Sequence, residues 1–457
     1  MLKSFINKDP HVKFLDELLS EDFNKKRLEK LLNSTNIDIN YQNSNKETFL
    51  HTCIEKRKIK AAIWLLNNHV SVDKTDKNGK TPFDIAIELN QHRVIDKILE
   101  ISDVDINRKD QFGRSLLQDA VVLGDHEMAK ILLEHGANIN SKDNKGRHVL
   151  YDALSYGNIE FIDYLLTFKN LDLNNVDIEQ NTILHHNFVK ENDDLAIKFM
   201  QHGANPNIKD KEGNTYLSIT ALKGIESFYI IEEAIKLGFN ISARVADENT
   251  ILIEVISTFS KLSDNDEDRR YSLYLMSKKL IEHGIDINAV NSKNENALFQ
   301  AVKVGNVDQT AMLLGSGIEV NLQNIYGETA LSLAAYGGVE KLDIVSLLLQ
   351  YNADPTVMDK KGKTLFEVLN EIILSNHDKK KLIDNDILKY ALGGTKFIHV
   401  LKELLHHNKR ELNFLDSTGK PLFFTPLLYN SLPLFKLYTK AGLNLHALTK
   451  PLWTESP

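Results

Sequence analysis

Apolar and polar positions along this chain recur on a long, regular period. Turn-forming clusters such as Asp76-Lys77-Asn78-Gly79 and Asp110-Gln111-Phe112-Gly113 precede a threonine or a stand-in for it, and a short apolar face follows. Glycine supplies the positive φ of a tight hairpin, and aspartate supplies a local acceptor. The threonine is placed to cap a helix, and Pro82 after Thr81 takes the first helical position, where a missing N–H costs nothing. Further on lies a second apolar face, Met128, Ile131, Leu132 and Leu133, closed by His135-Gly136, where glycine suits a left-handed helix end. The pattern predicts a hairpin tip, a short helix, a second helix and a return to the next tip.

The period is explicit when the threonine phase is aligned. Thr48, Thr81, Ser115, His148, Thr182, Thr215 and Thr250 follow one another at intervals of 33, 34, 33, 34, 33 and 35 residues. The register then jumps by 46 to Asn296, resumes with 33 to Thr329 and 35 to Thr364, and jumps by 57 to Pro421. Two insertions therefore interrupt one array. Such a period marks a repeat architecture, in which each module packs on its neighbours and no central core is needed.

The phrase Asp-x-x-Gly-x-Thr-x-Leu, followed by Leu-Leu-x-x-Gly-Ala-Asn, resembles the ankyrin-repeat pattern. Gly79-Lys80-Thr81-Pro82-Phe83 and Gly327-Glu328-Thr329-Ala330-Leu331 match it best. The resemblance covers residues 35–375 and again 411–446, about eleven units. It implies an all-α fold, a curved solenoid of stacked helix-turn-helix units with projecting β-hairpin loops. Residues 1–34 carry two helix-like stretches and are expected to be a divergent N-terminal cap. Residues 35–375 form the array, with a polar insertion at 258–276 whose run Lys261–Arg270 reads as a solvated loop. Residues 376–457 are expected to hold a degenerate helical region and an ankyrin-like C-terminal unit.

Composition narrows the functional classes. With 55 Lys+Arg against 63 Asp+Glu, the net charge of -8 argues against coating nucleic acid. No apolar run approaches the ~20 residues of a membrane span, and residues 1–21 lack the apolar core of a secretory signal. No nucleic acid and no membrane are expected among the partners, and a cytoplasmic, monomeric protein is expected. One cysteine, Cys53, excludes an intramolecular disulfide and a thiolate metal site. At the phase of Ala86, Ala120 and Ala153, it reads as a small buried hydrophobe. Asn187 stands at the same phase and predicts a locally loose fifth unit.

The motifs that imitate chemistry fail on inspection. Asn78-Gly79-Lys80-Thr81 and Lys361-Gly362-Lys363-Thr364 end like phosphate loops, but the required upstream glycine is Lys74 in one and Val357 in the other. Asp264-Asn265-Asp266-Glu267-Asp268 opens like a calcium loop, yet Arg269 replaces the turn glycine and Leu275 the closing glutamate. The adjacent pairs His185-His186 and His406-His407 point too far apart on a helix to share one ion. The resemblance assigns His51 and His185 a structural hydrogen bond to the hairpin. His135, His202 and His283 suit helix C-termini. No cofactor, metal or catalytic residue is expected, and any activity would have to reside in 366–457.

Recognition is left. In a stack of this kind the hairpin tips and first helices line a concave face whose side chains folding does not require. Phe112, Ile325 and Tyr326 fall at tips, Arg114 and Arg147 between tip and helix, and Val122, Leu123, Tyr156 and Tyr336 at first-helix ends. Aromatic and arginine side chains dominate interface hot spots. The expectation is a non-catalytic module that binds a protein partner through the concave face between units three and nine. The alternative is a bacterial protein with a dedicated task, either an effector delivered into a host cell or a cytoplasmic antitoxin.

Overall fold

The computed structural model describes residues 9–363, apart from 35, 264, 359 and 360. The expectations for 376–457, for the phases at Thr364 and Pro421, for His406-His407 and for an activity in 366–457 lie outside the described residues. Within the described residues the chain is all-α, and pairing between extended segments is limited to isolated bridges such as Gln42 with Thr48 and Lys109 with Ser115. Contacts group it into two compact units, Met1–Glu191 and Asn192–Pro457.

The threonine phase is the start of a helix at every described unit. Thr48, Thr81, Ser115, His148, Thr182, Thr215, Thr250, Asn296 and Thr329 all stand at the N-cap of a first helix. Six of these caps, Thr48, Thr81, Ser115, Thr182, Thr215 and Thr329, are reciprocal boxes: the residue three positions on returns a side-chain bond to the cap N–H. This satisfies two otherwise orphaned donors per helix. His51 does so for Thr48 (3.1 Å to the cap N–H) and reaches the Lys80 carbonyl of the next unit with its Nε2 (3.1 Å).

The tips are built by an Asp or Asn five residues before the cap. The Asp76 Oδ1 accepts from the backbone N–H of Asn78 (2.8 Å) and Lys80 (2.9 Å), and Asp110, Asp143, Asp177, Asn291 and Asn324 repeat the arrangement. Neighbouring tips join main chain to main chain, as in Asn144 N–H to Phe112 O and Ile325 N–H to Lys293 O, both 3.0 Å. In the loop Asn78-Gly79-Lys80-Thr81 the first three amides are thus turned onto Asp76 and that of Thr81 onto Asp84, instead of standing open around a phosphate.

Outside the fifth repeat, each described first helix packs on its own second helix and on the first helix of a neighbouring unit. Leu117, Ala120, Val121, Met128, Ala129, Leu132 and Leu133 form one such layer, all buried. Pro10–Leu18 and Lys25–Ser34 pack on each other ahead of Phe49–Glu55, and Phe14 meets Phe49 edge-on with centroids 5.1 Å apart. Cys53 is buried within Phe49–Glu55, and burial pushes its thiol up to about 12.

Two units depart from the pattern. In the fifth, the first helix breaks into a single turn, Ile183–His185, and a second short piece, Asn187–Lys190, separated by an extended His186 at φ -65 and ψ 136. The seventh corrects an expectation. The run Lys261–Arg270 is not a loop throughout, because Glu267–Glu282 is one helix of 16 residues where the other described second helices have 8 to 10. Its start is tethered: the Arg269 guanidinium donates to the carbonyls of Leu222 and Lys223, which end the helix Tyr216–Lys223. Ser272 Oγ accepts from Ile225 N–H (3.0 Å) and donates to Glu226 (2.9 Å).

Candidate protein-binding surface

The tip geometry separates two roles within one residue. At Phe112 the carbonyl is committed to Asn144, while the ring is 60% exposed. Ile325 likewise spends its N–H on Lys293 and leaves its side chain half exposed, next to a half-exposed Tyr326. At first-helix ends Leu123 is 80% exposed, Tyr156 and Tyr336 are also exposed, and Val122 is half-buried. Lys361 Nζ lies 5.0 Å from the centre of the Tyr336 ring.

Phe112, Arg114, Val122, Leu123, Arg147 and Tyr156 belong to the unit Met1–Glu191, and Ile325, Tyr326 and Tyr336 to the unit Asn192–Pro457. One residue of the same kind escaped the sequence reading. Ile178, 61% exposed, stands four positions before Thr182, the phase that Ile325 occupies before Thr329. Its N–H also stacks on the preceding tip, 3.0 Å from the Lys145 carbonyl. The phase was the signal that could have found it.

The two arginines are engaged inside the array. Arg114 Nη2 donates to Asp152 Oδ1 (3.3 Å), and its Nε lies 3.6 Å from Asp119. Arg147 Nη2 donates to Asp143 Oδ2 (3.1 Å). Gln118 ties them together, donating from Nε2 to the Arg147 carbonyl (3.0 Å) and to Asp152 Oδ2 (3.1 Å). Burial raises the Asp152 carboxyl above its ordinary range, opposed by the Gln118 bond and by the Arg114 and Arg147 charges. The Arg114 guanidinium therefore joins two successive units and that of Arg147 braces its own tip, and the apolar side chains are what the surface offers outward.

The histidines take architectural places. His202 and His283 bond through Nδ1 to the carbonyls of Lys198 (2.8 Å) and Lys279 (2.9 Å) in the last turns of their helices. His135 Nε2 meets Asp96 at 2.8 Å. Among the described residues no group of three His, Cys, Asp or Glu side chains is placed to hold a metal ion. No described helix is long and apolar enough to cross a membrane.

Comparison with known proteins agrees with this architecture. A family model described as ankyrin repeats (3 copies) matches residues 18–110, 95–177 and 272–359, more than half of the chain. The chain belongs to the ankyrin-repeat family. Among relatives, it is 21% identical over 302 residues to the E3 ubiquitin-protein ligase KEG of Arabidopsis thaliana, covering 65% of this chain and 18% of that protein. It is 23% identical over 307 residues to human Rabankyrin-5, covering 64% of this chain and 24% of the relative. The chain thus spans a quarter or less of the length of these two relatives. The ankyrin repeat domain of Bcl-3 is similar at 20% identity and a TM-score of 0.36, over 56% of this chain and 95% of that domain. Relatives found include proteins of plants, animals, yeast and a virus, and the bacterial origin expected above finds no support in these.

Proposed function

We propose that this chain is a non-catalytic recognition module that grips a protein partner through hairpin tips and first-helix ends on a concave face between the third and ninth repeats. The observation that carries the reading is the division of labour at the tips. Backbone groups of Phe112, Ile178 and Ile325 hold neighbouring tips together, while their large apolar side chains stand exposed. Folding spends nothing on those side chains, and exposed apolar groups on rigid, hydrogen-bonded supports are what an interface anchors on. An acidic chain built this way takes protein and not nucleic acid, acts as a monomer and needs no cofactor. A ligase activity belongs to KEG as a whole, of which the matched part is a small fraction.

The test is quantitative capture. Phe112→Ala combined with Tyr326→Ala should reduce recovery of specific partners by about tenfold or more while helicity and melting stay near wild type. Unchanged recovery from a folded variant would remove these tips from the binding surface.

A further inference from the structure

The insertion in the seventh repeat builds a cleft that the tip surface does not use. It lies where the two helices of a repeat are joined, away from the hairpins, and offers about 400 Å³ open to solvent. That volume falls within the ~300–1,000 Å³ of ordinary ligand sites. Phe259, Tyr271 and Tyr274 supply aromatic walls, and Glu267 and Asp308 supply carboxylates. Tyr271 is 64% exposed.

The charges of this cleft are unbalanced in one direction. Its one cation among the described residues, Arg270, is engaged within the chain, donating from Nη2 to the Leu262 carbonyl (3.1 Å), and the neighbouring Asp266 carboxyl is held below its ordinary range by the Ser263 side-chain and backbone bonds first and by the Arg270 charge last. Glu267 and Asp308 make no hydrogen bond or ion pair among the described residues, and neither tyrosine hydroxyl has a partner there. Each carboxylate suits the first turn of its helix, Glu267–Glu282 or Val307–Gly315. That explains the acids singly. It does not explain why the lengthened helix brings two tyrosines to the same cleft as both acids.

We infer that this cleft is a second binding site, which takes an arginine side chain of a basic peptide segment and works independently of the hairpin-tip surface. A guanidinium stacks on aromatic faces and bonds carboxylates in a planar fork, so one side chain uses both features of the cleft. The site exists because the insertion extends the second helix past the length found in other repeats.

The probe is the labelled peptide acetyl-Gly-Arg-Gly-Arg-Gly-amide, titrated into the whole chain and followed by fluorescence anisotropy, beside the same peptide with Glu for Arg. The Arg peptide should bind and the Glu peptide should not. Tyr271→Ala should weaken binding by about fivefold or more, and Asp308→Asn by about threefold or more. Asp103→Asn, which removes the same charge from an exposed position in the other compact unit, should leave it unchanged, and so should Phe112→Ala. Failure of the Arg peptide to bind, equal binding of the Glu peptide, or equal losses in Asp103→Asn and Asp308→Asn would each overturn the site. So would wild-type affinity in a Tyr271→Ala protein of unchanged helicity.

Discussion

At the scale of single residues, the sequence spoke most clearly where one chemistry recurs at one phase. The helix-capping threonines could be placed to the residue, and His148 and Asn296 proved to be working substitutes, each accepting from the N–H two positions on. What stayed hidden was conformation without its usual residue. Two positions before each cap the backbone is left-handed, and glycine holds it at Gly79, Gly113, Gly146, Gly213 and Gly327, but Lys46, Gln180, Glu248 and Asn294 adopt it as well. No composition rule marks a lysine or glutamine for positive φ, because the neighbouring tip bonds impose it at a cost of about 1 kcal/mol. His148 shows a second hidden consequence. Its buried ring accepts at Nδ1 from Leu150 N–H (3.3 Å) and donates from Nε2 to the Asp172 carbonyl (3.0 Å), a pairing only the neutral imidazole can make. Burial accordingly drives its pKa down to about 4 from an ordinary 6.5. Between those values the unfolded chain binds the proton and the folded chain does not, so this group's contribution is intact above pH 6.5 and is lost as pH falls toward 4. The loss amounts to about 3 kcal/mol at most. In urea melts His148→Thr, which keeps a capping hydroxyl, should be less stable than wild type at neutral pH and should close that gap as pH falls through this window; parallel curves would remove His148 from the pH response.

At the scale of elements, two departures from the common unit had different legibility. The polar Asn187 at an alanine phase announced trouble in the fifth repeat, and the first helix there is indeed broken at His186. Broken pieces of three and four residues cannot sustain the hydrogen bonding of a full helix against solvent, and helical hydrogen bonds formed singly are weak. Hydrogen exchange should therefore find the amides of Ile183–Lys190 opening at least about tenfold faster than those of Leu116–Val122, whose helix is continuous. Equal protection would mean that packing, and not helix continuity, sets local stability. The insertion was misread for a physical reason. Polar residues on every side of Asp266–Arg270 look like a loop because helix periodicity is visible only where one face is buried, and the added turns of Glu267–Glu282 begin with two exposed acids and two half-buried arginines before Ser272 and Leu273 reach the core. The cleft was out of reach for the same reason, since Tyr271 and Asp308 line one cleft only through a helix whose existence the pattern concealed.

At the scale of the whole molecule, the decisive property is that packing is local in sequence. The substantial helix contacts join partners within a repeat or in adjacent repeats, as between Leu116–Val122 and His126–Glu134 or between Ala297–Val304 and Ala330–Tyr336. In a globule with one core, a cavity anywhere lowers the stability of everything; in a chain of nearest-neighbour interfaces it lowers only the modules that share the interface. Leu132 is fully buried in the second helix of the third repeat. Leu132→Ala should cost about 3 kcal/mol, the ordinary penalty for a buried leucine that leaves a cavity. That cost should appear as faster exchange in Leu116–Val122, His126–Glu134 and Val149–Ser155, while Ala297–Val304 and Val307–Gly315 keep their protection. Uniform loss of protection across both compact units would show a cooperativity that nearest-neighbour packing does not supply. Confined loss would explain how this chain can carry a broken helix and a lengthened one, beside the two recognition surfaces proposed for it, because each irregularity burdens only the repeats beside it.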